Sequence, residues 1–248
     1  HLSIRRQRQM CIRDSIQAVR QSMHRSDAFG FGERFVGWDN FTALFRSARY
    51  WESVQVTAIF AASVAIITLC VSLSFASAVD RMIRSRTTYS TLLIWPYAVA
   101  PAVAGVLWWF LFNPSGGILA YTLRGFGINW NHFTNGNQAL LLTIIAASWA
   151  QVSYNFIFFL AGLQSIPRSL IEAAAIDGAG PTKRFFTITL PMLSPTIFFL
   201  SVVNMVYAFF DTFGIIDTTT EGGPGRQTTT LVYQAYTCLL YTSDAADE

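Results

Sequence analysis

Six polar side chains stand in otherwise apolar stretches of this chain, at helical spacing. Gln151, Tyr154 and Asn155 occupy positions i, i+3 and i+4, and Asn204, Tyr207 and Asp211 occupy i, i+3 and i+7. Each trio falls on one face of a helix. Amide and phenol groups so placed can exchange hydrogen bonds with a hydroxyl-rich solute such as a polyol or sugar, and can line a translocation path. They serve equally well as hydrogen bonds between helices, worth about 0.6 kcal/mol per contact inside a membrane. The residues alone leave both readings open. No Asp, Glu, Lys or Arg lies in the middle of these stretches, and Asp211 sits at an end. That disfavours a proton or ion relay.

Covalent and metal chemistry find little support. His1, His24 and His132 are isolated, and Cys11, Cys70 and Cys238 lie far apart with no C-x-x-C pair. Neither a disulfide framework nor a zinc site is implied. A membrane-embedded enzyme needs converging His, Asp or Ser groups, and no such cluster is visible. An ion channel needs a ring-forming filter or charged pore residues, and the chain shows neither. The Gly178-to-Lys183 stretch departs from the phosphate-loop pattern and follows a helix instead of a strand. No bound cofactor is therefore expected, and any ATP chemistry belongs to a partner.

A second candidate is the polar connector between the third and fourth apolar stretches. Ser169-x-x-Glu172 has the form of a capping box, with Glu172 in the first helical turn. Ala173, Ala174 and Ala175 favour helix and carry almost no bulk, so a partner can approach the backbone closely. Gly178 is placed to end the helix in the left-handed conformation. Gly180-Pro181 turns the chain, with Pro181 at the first position of a second helix. Lys183 and Arg184 face solvent or headgroups, and Phe185, Phe186 and Ile188 return the chain to the membrane. The bland alternative is an amphipathic connector lying on the headgroups.

The elements that position these groups must be membrane helices. The chain is 52% hydrophobic and only 12% charged, with a mean hydropathy of +0.39. A soluble domain usually carries about twice that charge. Residues 54–79, 89–112, 139–164 and 190–210 are each long enough to span a bilayer, which takes about 20 apolar residues. Unpaired backbone groups are excluded from hydrocarbon, so the spans should be helical. Pro96 and Pro101 in the second and Pro191 and Pro195 in the fourth should bend them. A short helix starts near Asp39 or Asn40, with Phe41, Leu44 and Phe45 on one face. It suits an interfacial helix at the lipid surface.

Arg81, Arg84 and Arg86 follow the first span, and Arg168, Lys183 and Arg184 follow the third. The other two loops hold one arginine each, Arg124 and Arg226. The arginine-rich loops should be cytoplasmic. Arg20, Arg25, Arg34, Arg46 and Arg49 precede the first span and oppose this orientation, but the short loops agree with each other. The net charge of +3 gives no reason to expect nucleic acid as a partner. The polar, Arg-rich opening lacks the apolar core of a signal peptide.

From Glu172-Ala173-Ala174 through Gly178 to Ile188-x-Leu190-Pro191, the connector resembles the cytoplasmic coupling loop of ABC importer permeases. Carbohydrate-type permeases are resembled from about residue 16 to residue 236, most closely their glycerol-3-phosphate branch. Carrying this are Phe35-Val36-Gly37-Trp38-Asp39-Asn40-Phe41, Pro96-Tyr97-Ala98-Val99-Ala100-Pro101, Ser165-Ile166-Pro167-Arg168, Tyr207-Ala208-Phe209-Phe210-Asp211 and Gly222-Gly223-Pro224. The resemblance implies an all-α, polytopic transmembrane bundle of the type I importer kind, in a bacterial inner membrane. It implies a non-catalytic subunit for a glycerol phosphate or related carbohydrate, a neutral sugar or polyol being the alternative. A second permease, two cytoplasmic ATPase subunits and an extracytoplasmic solute-binding protein would be its partners. Glu172, Ala173, Ala174, Gly178 and Pro191 match the ATPase-coupling motif. The family opens with a membrane helix and closes with one after the Gly-Gly-Pro loop. The expectation here is a fragment lacking both, with residues 1–15 and 238–248 as foreign tails around a partial transmembrane domain at 16–237.

Overall fold

A computed structural model describes residues 15–26, 33–80 and 86–247, with the side chains of 26, 33, 86–87 and 241–247 left aside. The chain forms two units, one comprising residues 1–54 and 234–248 and the other residues 55–233.

In the first unit, α1 (residues 15–22) leads into β1 (His24–Ser26), which pairs antiparallel with β2 (Glu33–Phe35). This hairpin is a small departure from the all-helical expectation. It is held by the His24–Phe35 cross-strand pair, with ring centroids 5.3 Å apart, and by Asn40. The Asn40 amide donates to the Ser22 and His24 carbonyls at 2.8 and 3.2 Å. Asn40 therefore does not cap α2 (Asp39–Arg46), and neither does Asp39: Trp38 takes the cap position, without a side-chain bond. Leu44 and Phe45 are exposed on α2, as an interfacial helix requires.

The second unit carries the membrane helices. Helix α3 (Ala48–Asp80) and helix α7 (Gly136–Ser165) are long and apolar enough to cross a bilayer. Asn135 starts α7, its side chain accepting from the Asn137 and Gln138 amides at 3.1 and 3.4 Å. The second span is broken: Thr88–Ala98 and Pro101–Leu111 meet at 101°. The break falls between α4 (Arg86–Ile94), with its 3-10 turn Trp95–Ala98, and α5 (Pro101–Leu111). Ala100 is extended, as a residue before proline prefers, and Pro101 opens α5 where its missing N–H costs nothing. Helix α6 (Ile118–Gly125) follows.

The fourth span bends by 66° between Pro181–Met192 and Ser194–Phe210. A π turn over Phe185–Thr189 precedes α10 (Leu190–Met192), and α11 (Ser194–Phe210) resumes after Leu193. Pro191 cannot donate to the carbonyl one turn back, so the ladder rearranges there.

Helix α12 (Phe213–Thr219) is followed by α13 (Leu231–Asp247). A helix thus follows the Gly-Gly-Pro loop, its apolar part, Leu231–Leu240, shorter than a membrane span. Thr230 is placed at its cap, Oγ1 accepting from the Tyr233 amide at 3.4 Å, and the Leu231 amide donates to Thr57 Oγ1 of α3 at 2.9 Å. Core clusters tie α3, α7, α11 and α12 together through Phe60, Val64, Ile144, Ala147, Ala208 and Ile215. Phe198, Val202, Met205 and Phe210 stay exposed along α11, an apolar stripe suited to lipid or a partner helix.

Arg81 and Arg84 lie outside the described residues. The loops at the two ends of α7 still permit a topology test, since thirty helical residues span about 45 Å. Thr134 and Thr182 are both exposed. In an otherwise cysteine-free full-length subunit, Thr134→Cys should react with an impermeant thiol reagent applied outside, and Thr182→Cys should be shielded. External labelling at Thr182 would put the connector on the wrong side for a cytoplasmic ATPase.

Candidate functional site

The connector folds as two short helices. Helix α8 (Arg168–Ile176) has Pro167 at its cap position, and Arg168 is its first residue. Ser169 therefore lies inside the helix, and the expected capping box with Glu172 does not form. Pro167 is the reason: its φ of −59° and ψ of 125° start the helix two residues early, and its carbonyl accepts from the Leu170 amide at 3.2 Å. Glu172 consequently leaves the first turn and stands exposed.

The far end is as expected. Gly178 has φ +77°, the left-handed region that glycine enters without penalty. Its amide donates to the Ala175 carbonyl at 3.1 Å, and the Ala179 amide donates to Ala174 at 3.0 Å. These two bonds close a Schellman stop. Gly180 precedes α9 (Pro181–Arg184), with Pro181 at its first position. Ala173 and Gly178 are exposed and Ala174 half-buried. Among the described residues no neighbouring atom comes within 4 Å of where a Gly178 side chain would begin. Ile176 completes this surface with 87% of its area exposed, and the sequence reading passed over it. Its signal was present: an isoleucine four residues after Glu172, where a solvated connector face has no need of one. Pro191 lies in α10, beyond the π turn.

The six polar residues of α7 and α11 divide into two groups. Asn204 is fully buried, and its Oδ1 accepts from Gln151 Nε2 at 3.1 Å and from Asn155 Nδ2 at 3.0 Å. Asn155 is fully buried too, and the cluster leaves Asn155 Oδ1 and Asn204 Nδ2 without partners. The second group lines a cleft of about 490 Å³. Its walls include Gln151, Tyr154, Tyr207 and Asp211, with Tyr97 from the broken second span. The Tyr97 and Tyr154 rings lie 5.8 Å apart, and the Tyr207 hydroxyl donates to the Ala147 carbonyl at 3.3 Å. Gln151 belongs to both groups. Tyr97 carries no polar periodicity of its own, because it reaches the cleft only through the break after Ala98.

A third feature is built on a histidine that stands isolated in the sequence. His132 is buried, both ring nitrogens lack partners, and burial lowers its pKa below the ordinary histidine range. Its ring lies 4.2 Å from that of Phe133.

Comparison with known proteins agrees with this arrangement. Residues 84–237 match the family described as binding-protein-dependent transport system inner membrane component. The sn-glycerol-3-phosphate transport system permease protein of Rhizobium meliloti (strain 1021) is 58% identical over 220 residues, covering 89% of this chain and 75% of that protein. Its counterpart in Escherichia coli O157:H7 is 56% identical over the same coverage. A crystal structure of a bacterial alginate ABC transporter, in complex with an alginate pentasaccharide-bound periplasmic protein, superposes with a TM-score of 0.70. It covers 85% of this chain and 74% of its own at 21% identity, which speaks to the fold. A helical bundle with broken spans and an exposed Glu-Ala-Ala connector thus accompanies a family match over most of the membrane unit: the chain belongs to the inner-membrane permease components of binding-protein-dependent ABC importers.

Proposed function

We propose that this permease serves an importer of sn-glycerol 3-phosphate or a closely related carbohydrate. The observation that carries the reading is the relatives' identity, 58% and 56% over 220 residues with permeases of that named system. The subunit pairs with a second permease. An extracytoplasmic binding protein delivers the solute, and two cytoplasmic ATPase subunits bind and hydrolyse the ATP. Helix α8 is the docking element, presenting Glu172, Ala173 and Ile176 on one exposed surface and Gly178 at its close-approach end. The chain itself performs no catalysis.

The cleft refines this. Tyr97, Gln151, Tyr154 and Tyr207 offer hydroxyl and amide groups, with Asp211 as the charged member and no Lys or Arg among the lining residues. Such walls suit the hydroxyl-bearing end of the solute and give nothing to a phosphate, which calls for Arg or Lys. Phosphate recognition therefore belongs to the partner subunits. The same observation favours the second reading, a neutral sugar or polyol as cargo.

The two readings separate in an uptake assay on the assembled full-length transporter in proteoliposomes. The expected result is ATP-dependent uptake of radiolabelled sn-glycerol 3-phosphate that excess glycerol does not inhibit. Uptake of a neutral polyol with no uptake of the phosphate ester would replace the first reading with the second.

A further inference from the structure

Beside the coupling helix lies a cavity of about 380 Å³, lined by apolar and polar side chains from several elements. The end of α3 contributes Ser77 and Asp80, α8 contributes Ile171, and Arg184 and Phe185 lie where α9 passes into the π turn. Arg184 reaches across it. Its Nη1 donates to the Ile171 carbonyl, within α8, at 3.4 Å. Among the described residues its Nε is buried without a partner, and so is Ser77 Oγ. A guanidinium offers five donors in a rigid fork, and a buried donor left unused is costly. One arm of this fork holds the coupling helix, while another part is buried beside the cavity that carries Ser77 and Asp80.

We propose that Arg184 is a positioning residue for energy coupling, the link through which displacement of α8 reaches the cytoplasmic end of α3. The chain supplies a covalent route from α8 to α11, but that route passes a π turn and a 66° bend, both of which absorb motion. No chain segment joins α8 directly to α3. Arg184 stands at that gap: it holds Ile171 of α8 and lines the same cavity as Ser77 and Asp80 of α3, which gives its side chain room to move. When the ATPase displaces α8, the guanidinium swings toward Asp80 and Ser77 and carries α3 with it. The link rests on the docking role of α8. It adds a transmission role for a residue that does not form part of the exposed docking surface.

The test uses the complete transporter in proteoliposomes with Arg184→Met, which keeps length and removes the fork. Assembly, ATPase co-purification and basal ATP hydrolysis should stay at the wild-type level. Solute imported per ATP hydrolysed should fall roughly tenfold, the scale at which coupling residues act. Arg184→Lys, which keeps the charge and a donor group but not the planar fork, should recover part of the ratio. Thr187→Ala, at an exposed neighbour, should leave it unchanged. Asp80→Asn should lower the ratio in the wild type and have little further effect in the Arg184→Met background. An unchanged ratio in Arg184→Met overturns the proposal, and so does a proportional loss of transport and hydrolysis, which marks a merely structural role. Failure of the docking reading looks different: the ATPase would remain bound and coupled when Gly178 is substituted.

Discussion

Asparagine or aspartate at Gly178 in the full-length subunit is expected to abolish import and ATPase co-purification while membrane insertion persists. The φ of +77° argues for a conformational role of this glycine, and the open space around it argues for close approach by a partner. Substitution separates the two. Asparagine and aspartate tolerate the left-handed region better than other residues, so the Schellman stop survives them. Their side chains would project from an exposed position at the end of the proposed docking surface. A purely conformational glycine would accept asparagine with little loss. A close-approach glycine would reject it, with a cost on the scale of an interface hot spot, about 2 kcal/mol or roughly thirtyfold in affinity. Glu172→Lys and Ile176→Asp should weaken docking to a similar degree, since each inverts the character of an exposed contact residue. Normal uptake by the Gly178→Asn and Glu172→Lys variants together would sink the docking assignment.

The legible parts of this chain were those governed by local rules. Gly178, Gly180 and Pro181 wrote the stop, turn and restart of the connector into consecutive residues, and α8 and α9 follow them. The proline positions announced both broken spans, though not that the second would turn through 101°. The start of α8 was misplaced because two local rules competed. A serine three residues before a glutamate signals a cap, but Pro167 had already set the extended backbone that begins the helix. The hairpin at His24–Phe35 was illegible because its strands hold only three residues each and depend on Asn40, sixteen residues beyond His24. The polar faces of α7 and α11 were visible as periodicity. Their division into a buried amide cluster and an open cleft was not, because it depends on which helix crosses above each residue.

That division sets the largest expected difference among the polar residues of α7 and α11. Asn204→Leu should destabilise the assembled subunit by about 2 kcal/mol or more, because it orphans two buried amide donors at about 1–3 kcal/mol apiece. Asn155→Leu removes one donor, leaves Asn204 Oδ1 its bond from Gln151, and also deletes the unpartnered Asn155 Oδ1. Its cost should stay near the average membrane contact of about 0.6 kcal/mol. The two substitutions should not add, since both break the same bond. Neither Asn204 nor Asn155 is among the residues lining the cleft, so any transport lost by Asn204→Leu should track lost assembly. Tyr207→Phe should do the reverse. It removes one hydroxyl from the cleft wall, keeps the ring in place, and should lower transport while unfolding of the complex is little changed. The measurements are the thermal or denaturant midpoint of the purified complex and solute uptake per assembled complex. Equal stability of the Asn204→Leu and Asn155→Leu variants would show that Asn204 is not the hub of the cluster. Transport by Tyr207→Phe at the wild-type level would remove that hydroxyl from the path.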